Sequence, residues 1–144
     1  MDTAYIGRNQ DAAGRLAELV ARLSTSDLLT SLGGGWTVKA ALAHLAFWDR
    51  YAAALLDSWA ADGFQPVSAS ADHINAAALP GWLELQEDYV RREVVAAAEA
   101  VDQRVAALSP ELAQTIADGG RARMLDRSRH RQEHVDQIRA AVGG

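Results

Sequence analysis

The chain has 144 residues, 49% hydrophobic and 23% charged, which suits one domain with an apolar core. It contains no cysteine, which excludes disulfide staples, a cysteine nucleophile and thiolate metal ligands, so any thiol chemistry must borrow its thiol from outside. A formal net charge of -5 argues against a general nucleic-acid binder. The polar MDTAYIGRNQD start carries no basic and apolar leader pattern, and no run approaches the roughly 18 apolar residues of a membrane span. The expected compartment is the cytoplasm, with no membrane partner.

Leu16, Leu19, Val20 and Leu23 recur at helical spacing and predict a first helix over about 9–30. The segment 31–35 ends it with Gly33, Gly34 and Gly35 in a row. Thr37 reads as the N-cap of a second helix over about 37–61. Val38, Leu42, Leu45, Trp48, Leu55, Leu56 and Trp59 supply its apolar side, and Asp62-Gly63 closes it near Pro66. Residues 67–80 read as a long connection in which SADHINAAAL can form a short helix. A third long helix is expected over about 86–108. Ser109-Pro110-Glu111 then opens a short extra helix with proline at its first position. Asp118-Gly119-Gly120 breaks the chain again, and a fourth long helix is expected over about 121–142. There is no strand-like alternation. A single domain over 1–144 is expected, an all-α four-helix bundle with one long crossover and no sheet.

Chemistry concentrates in the histidines. His130 and His134 are four apart on the fourth helix, which puts both imidazoles on one face, one turn apart. Two such rings can chelate one metal. His44 sits among apolar residues in AALAHLAFWDR and shares a stripe with Ala41, Trp48, Tyr51 and Leu55. Three imidazoles plus water is an open-site design for a catalytic metal. By spacing alone, a hydrogen-bonded core histidine at 44 and a chance pair at 130 and 134 account for the pattern equally well.

Two other metal readings fail. His130-Arg131-Gln132-Glu133-His134 fits the H-x-x-E-H protease pattern, but that class needs an acidic ligand well downstream, and only Asp136, on the wrong face, follows. A di-iron bundle needs paired Glu-x-x-His motifs and further inward carboxylates, and the core stripes here lack acids.

Neighbouring residues are candidates for lesser roles. Glu133 can orient a metal-bound water or accept its proton, or form a surface ion pair. Arg123 and Arg127 fall on the His130 face and can grip a substrate carboxylate. Five arginines lie between 121 and 131, where cations oppose the dipole of a helix start, so something must offset them. Trp48 and Tyr51 can wall the pocket or fill the core. His73 and Asn75, in the crossover, can fold over the metal or serve as caps.

Three segments carry a family likeness: GGWTVKAALAHLAFWDR, DHINAAALPGW and DRSRHRQEHVDQI. In that order and spacing the chain resembles the DinB/YfiT-like superfamily of metal-binding four-helix bundles, near the metal-binding domain of mycothiol-dependent maleylpyruvate isomerase. The resemblance implies that His44, His130 and His134 hold one divalent metal, with zinc, nickel or iron as candidates. It also implies a homodimer, and either an enzyme or a metal-binding protein without turnover. An enzyme of this kind is expected to be a thiol S-transferase or hydrolase. It would set mycothiol, bacillithiol or metal-bound water against a small electrophilic substrate. The alternative is a stress-associated bundle that binds a small molecule.

Overall fold

The computed structural model describes residues 2–143. In chain order its helices are α1 (Ala4–Arg22), α2 (Thr25–Leu28), α3 (Val38–Asp62), α4 (Ala71–Leu83), α5 (Glu87–Ala107), α6 (Pro110–Asp118) and α7 (Ser128–Val142). The long helices α1, α3, α5 and α7 pack side by side as the expected all-α bundle. Among the described residues no helix is long and apolar enough to cross a membrane.

The first expected helix divides at Ser24. Its hydroxyl accepts the Asp27 N–H at 3.0 Å while the Asp27 carboxylate accepts the Ser24 N–H at 2.9 Å. This capping box satisfies two helix-start donors and begins α2 as a separate turn. The expectation of no sheet is also corrected. Ser31–Gly33 (β1) and Trp36–Thr37 (β2) pair antiparallel, Ser31 opposite Thr37 and Gly33 opposite Trp36. Gly33, Gly34 and Gly35 all take positive φ, which lets the chain reverse tightly. Strands of three and two residues are too short to leave an alternating pattern. Thr37 then caps α3 as expected, its Oγ1 accepting the Ala40 N–H at 3.1 Å.

The fourth long helix starts at Ser128, not near 121. Asp126 accepts the Ser128 N–H at 3.1 Å, and Asn9 from α1 accepts the Arg127 N–H at 2.8 Å. These two side chains serve the first donors of α7, and a single 3-10 turn, Ala122–Met124, occupies the approach.

The core falls into two apolar clusters. One gathers Leu16 to Leu23 of α1, Val38 to Ala46 of α3, Val90 to Ala98 of α5, and Val135 and Ile138 of α7. The other gathers Tyr5 of α1, Ala52 to Trp59 of α3, and Val101 and Val105 of α5, with Ile116 and Leu125. The order of clusters along each helix fixes direction: α1 and α7 run one way, α3 and α5 the other. Because α3 and α5 are parallel neighbours, the connection between them must return along the whole of α3, whose 25 residues span about 37 Å. Helix α4 rides on that return, longer than the short helix expected and with Pro80 inside it.

Between the clusters each long helix contributes a polar residue, and the expectation that the core stripes lack acids is corrected by Asp49, which is buried, and Asp102 beside it. Arg131 of α7 is fully buried, and its guanidinium donates to Asp102 at 2.8 and 3.0 Å and to Asp49 at 3.3 Å. It also donates to the Asn9 carbonyl at 3.0 Å. Arg127 donates to the other oxygen of Asp49 at 2.9 Å. Asn9 completes the belt, its amide donating to the Leu125 carbonyl at 2.8 Å. Two arginines facing two aspartates leave no net charge, and no side-chain polar atom of the described residues is buried without a partner.

Candidate metal centre

One belt level towards the β1–β2 hairpin, the same two helices α3 and α7 present the histidines. His44 comes from the second turn of α3, and His130 and His134 from successive turns of α7. Their ring centroids lie 5.0, 5.0 and 4.9 Å apart. One nitrogen from each ring lies within 4.8 Å of the other two. The rings meet because the i, i+4 pair faces α3, and because the belt pins α7 to α3 one residue away, through Arg131 and Asp49.

Hydrogen bonds determine which nitrogen His44 and His134 can offer. Asn75, on α4, places its Oδ1 2.8 Å from Trp48 Nε1 and 3.2 Å from His44 Nδ1. An indole N–H can only donate, so the Asn75 atom there must be the oxygen. An oxygen can only accept, so His44 carries its proton on Nδ1 and leaves a bare lone pair on Nε2. That Nε2 sits 3.0 Å from Nε2 of His130. Two imidazole nitrogens at this distance need one proton, or one cation, between them. In a tetrahedral zinc site, Zn–N bonds of 2.0–2.1 Å put ligand nitrogens about 3.3 Å apart, close to this spacing. His134 Nδ1 donates to Gln137 Oε1 at 3.0 Å, one turn on, which leaves its Nε2 for a ligand. The donor set therefore fits one divalent ion held by three neutral nitrogens.

The electrostatics agree. Burial lowers the His44 pKa to about 4 and that of His130 to about 3, with the charge of His134 acting in the same direction. Burial also lowers His134, against the opposing pull of Gln137 and Glu133. All three rings are thus neutral at pH 7, the form that ligates a metal.

The site opens on a cleft of about 270 Å³. Leu32, Trp36 and Ala41 form its apolar wall, and His44, His134, Asn75 and Gln137 its polar side. Trp36 and Trp82 set their rings edge-on to His44 at 5.5 and 5.6 Å and hold it in place.

The other sequence candidates are distributed differently. Arg127, expected to be available to a substrate carboxylate, is buried and committed to Asp49. Arg123 is exposed on the 3-10 turn and does not line the cleft. Glu133 is exposed, beside His134 in sequence. Trp48 and Tyr51 stack edge to face at 5.2 Å and line a separate cleft of about 290 Å³ with Arg121. His73 faces Ser70 rather than the site. Sequence reasoning missed Trp82 and the orienting role of Gln137. The spacing of Gln137, three after His134, was the available signal.

No curated protein and no solved structure matches the chain. A family profile, however, described as the DinB superfamily, matches residues 9–141 and so covers most or all of each long helix and every histidine of the site. The chain belongs to the DinB superfamily.

Proposed function

We propose that this chain is a metal-dependent enzyme that sets a low-molecular-weight thiol or water against a small electrophile, as a thiol S-transferase or hydrolase. His44, His130 and His134 hold one divalent ion, with zinc, nickel or iron all suited to three nitrogen ligands. When bound, such an ion acts as a Lewis acid that lowers the pKa of a thiol or water at its open position. Asn75 and Gln137 hold His44 and His134 in the ligating tautomer. Leu32, Trp36 and Ala41 offer an apolar wall to the body of the substrate. A chain without cysteine is consistent with a nucleophile that arrives from solution.

The observation that carries this reading is the cleft. His44 and His134 line a space of about 270 Å³ that opens to solvent, with His130 behind them against His44, whereas a bundle that merely stores an ion can pack shut over it. The test is to purify the protein without added metal, measure its metal content, then exchange in cobalt(II) and add a simple thiol. Roughly one metal per chain and a new sulfur-to-cobalt charge-transfer band support the proposal. A full site whose spectrum no thiol or anion changes favours the storage protein.

A further inference from the structure

The two amides beside the histidines have a second face. Asn75 gives its oxygen to both Trp48 and His44, and Trp48, as an obligate donor, leaves no alternative orientation. The NH₂ group of Asn75 is thereby turned away from both rings. It makes no hydrogen bond to another described residue, yet no side-chain polar atom of a non-exposed described residue is buried without a partner. It must therefore meet solvent, and Asn75 lines the cleft. Gln137, exposed on α7, makes a similar single bond without a second donor to fix it: its oxygen lies 3.0 Å from His134 Nδ1, its NH₂ group bonds no other described residue, and it lines the same cleft. No lysine or arginine lines that cleft.

We propose that Asn75 and Gln137 are specificity-determining residues. Their two oriented amide donors read an acceptor oxygen, of the carbonyl or amide type, on an otherwise uncharged ligand seated beside the metal. This rests on the metal-dependent reading above and narrows its substrate class. Each histidine takes the amide oxygen and so presents the amide nitrogen to the ligand. The same bond that prepares the ring as a metal ligand thus prepares the donor that reads the substrate. A ligand rich in donors but without acceptors meets no complement here, and a second anionic group finds no cation in the cleft.

The isosteric changes Asn75→Asp and Gln137→Glu separate the two faces of each amide. Both keep an oxygen for the histidine N–H, and so keep the metal, but replace the NH₂ donor with an acceptor. The probes are 3-mercaptopropionamide, which carries a carbonyl, and propane-1-thiol, which does not. Each is titrated into cobalt-loaded wild-type and variant protein, followed by the charge-transfer band. Wild type should prefer the amide thiol by about three- to tenfold per donor, and each variant should lose its share while binding propane-1-thiol. Because both probes bind as thiols, a charge introduced by the variant affects both, and the preference ratio isolates the donor. Equal binding of the two thiols by wild type, or a preference unchanged in both variants, overturns the inference and leaves the metal-dependent reading standing. If neither thiol changes the spectrum of the loaded wild-type protein, the thiol-using form of that reading fails and this inference falls with it.

Discussion

Helices α3 and α7 meet at two neighbouring polar clusters, one residue apart on α7 (His130 and Arg131) and five apart on α3 (His44 and Asp49), and the two are built on opposite principles. The belt of Asp49, Asp102, Arg127 and Arg131 is closed: two cations face two anions, and Arg131 has no exposed surface. The histidine cluster is open: three neutral rings bring their nitrogens together with nothing of opposite charge among them, and two of them, His44 and His134, line a cleft. A satisfied network rigidifies, while converging lone pairs await a ligand. The belt holds the two helices at a fixed register and so sets the distance across which the histidines face one another.

This contrast can be broken from the belt side first, where the effect is largest. Asp49→Ala leaves the guanidiniums of Arg127 and Arg131 short of a carboxylate in the core, and should cost about 3–5 kcal/mol of stability. His44→Ala strands no charge and should cost less than half as much. Urea denaturation of the two variants in the presence of chelator checks the ranking, and equal losses would contradict it. Asn9→Ala removes two buried hydrogen bonds, to the Leu125 carbonyl and from the Arg127 N–H, and should cost about 1–3 kcal/mol by the same measurement.

Acid acts on the histidine cluster instead. The unfolded chain protonates its histidines near the ordinary value of 6.5, whereas the folded chain resists until about pH 4 at His44 and about pH 3 at His130. Between these limits the unfolded state binds more protons, so metal-free stability should fall as pH drops from 6.5 towards 3. Denaturation midpoints at several pH values should show this slope, and it should be shallower in His130→Ala. A slope unchanged by that substitution would assign the acid sensitivity elsewhere.

The histidine cluster was partly legible in the sequence: periodicity pairs His130 with His134, while the family likeness was what joined His44 to them. A spacing of four puts His130 and His134 on a shared face in any helix, and apolar neighbours turn His44 inwards. The belt was not legible, because Asn9, Asp49, Asp102 and Arg131 come from four helices, and only the packed bundle shows that they share one level. The crowd of arginines at 121–131 did register as an imbalance. Its resolution is tertiary: Arg127 and Arg131 pair with aspartates on α3 and α5, and α7 begins only at Ser128, so Arg121 and Arg123 precede the helix. The hairpin escaped because glycine breaks announce a turn without saying that its flanks pair. The role of Asn75 escaped because its partners, Trp48 and His44, lie on another helix that α4 crosses only in the folded chain.

The most direct test of the account is metal content per chain in four single variants prepared side by side: His44→Ala, His130→Ala, His134→Ala and His73→Ala. The first three each remove one of the converging nitrogens and should lower occupancy sharply, while His73, which faces Ser70 away from the cluster, should leave it at the wild-type level. Full occupancy in His44→Ala, or wild-type protein that takes up no divalent metal at neutral pH, would contradict the claim that these three histidines form a single metal centre.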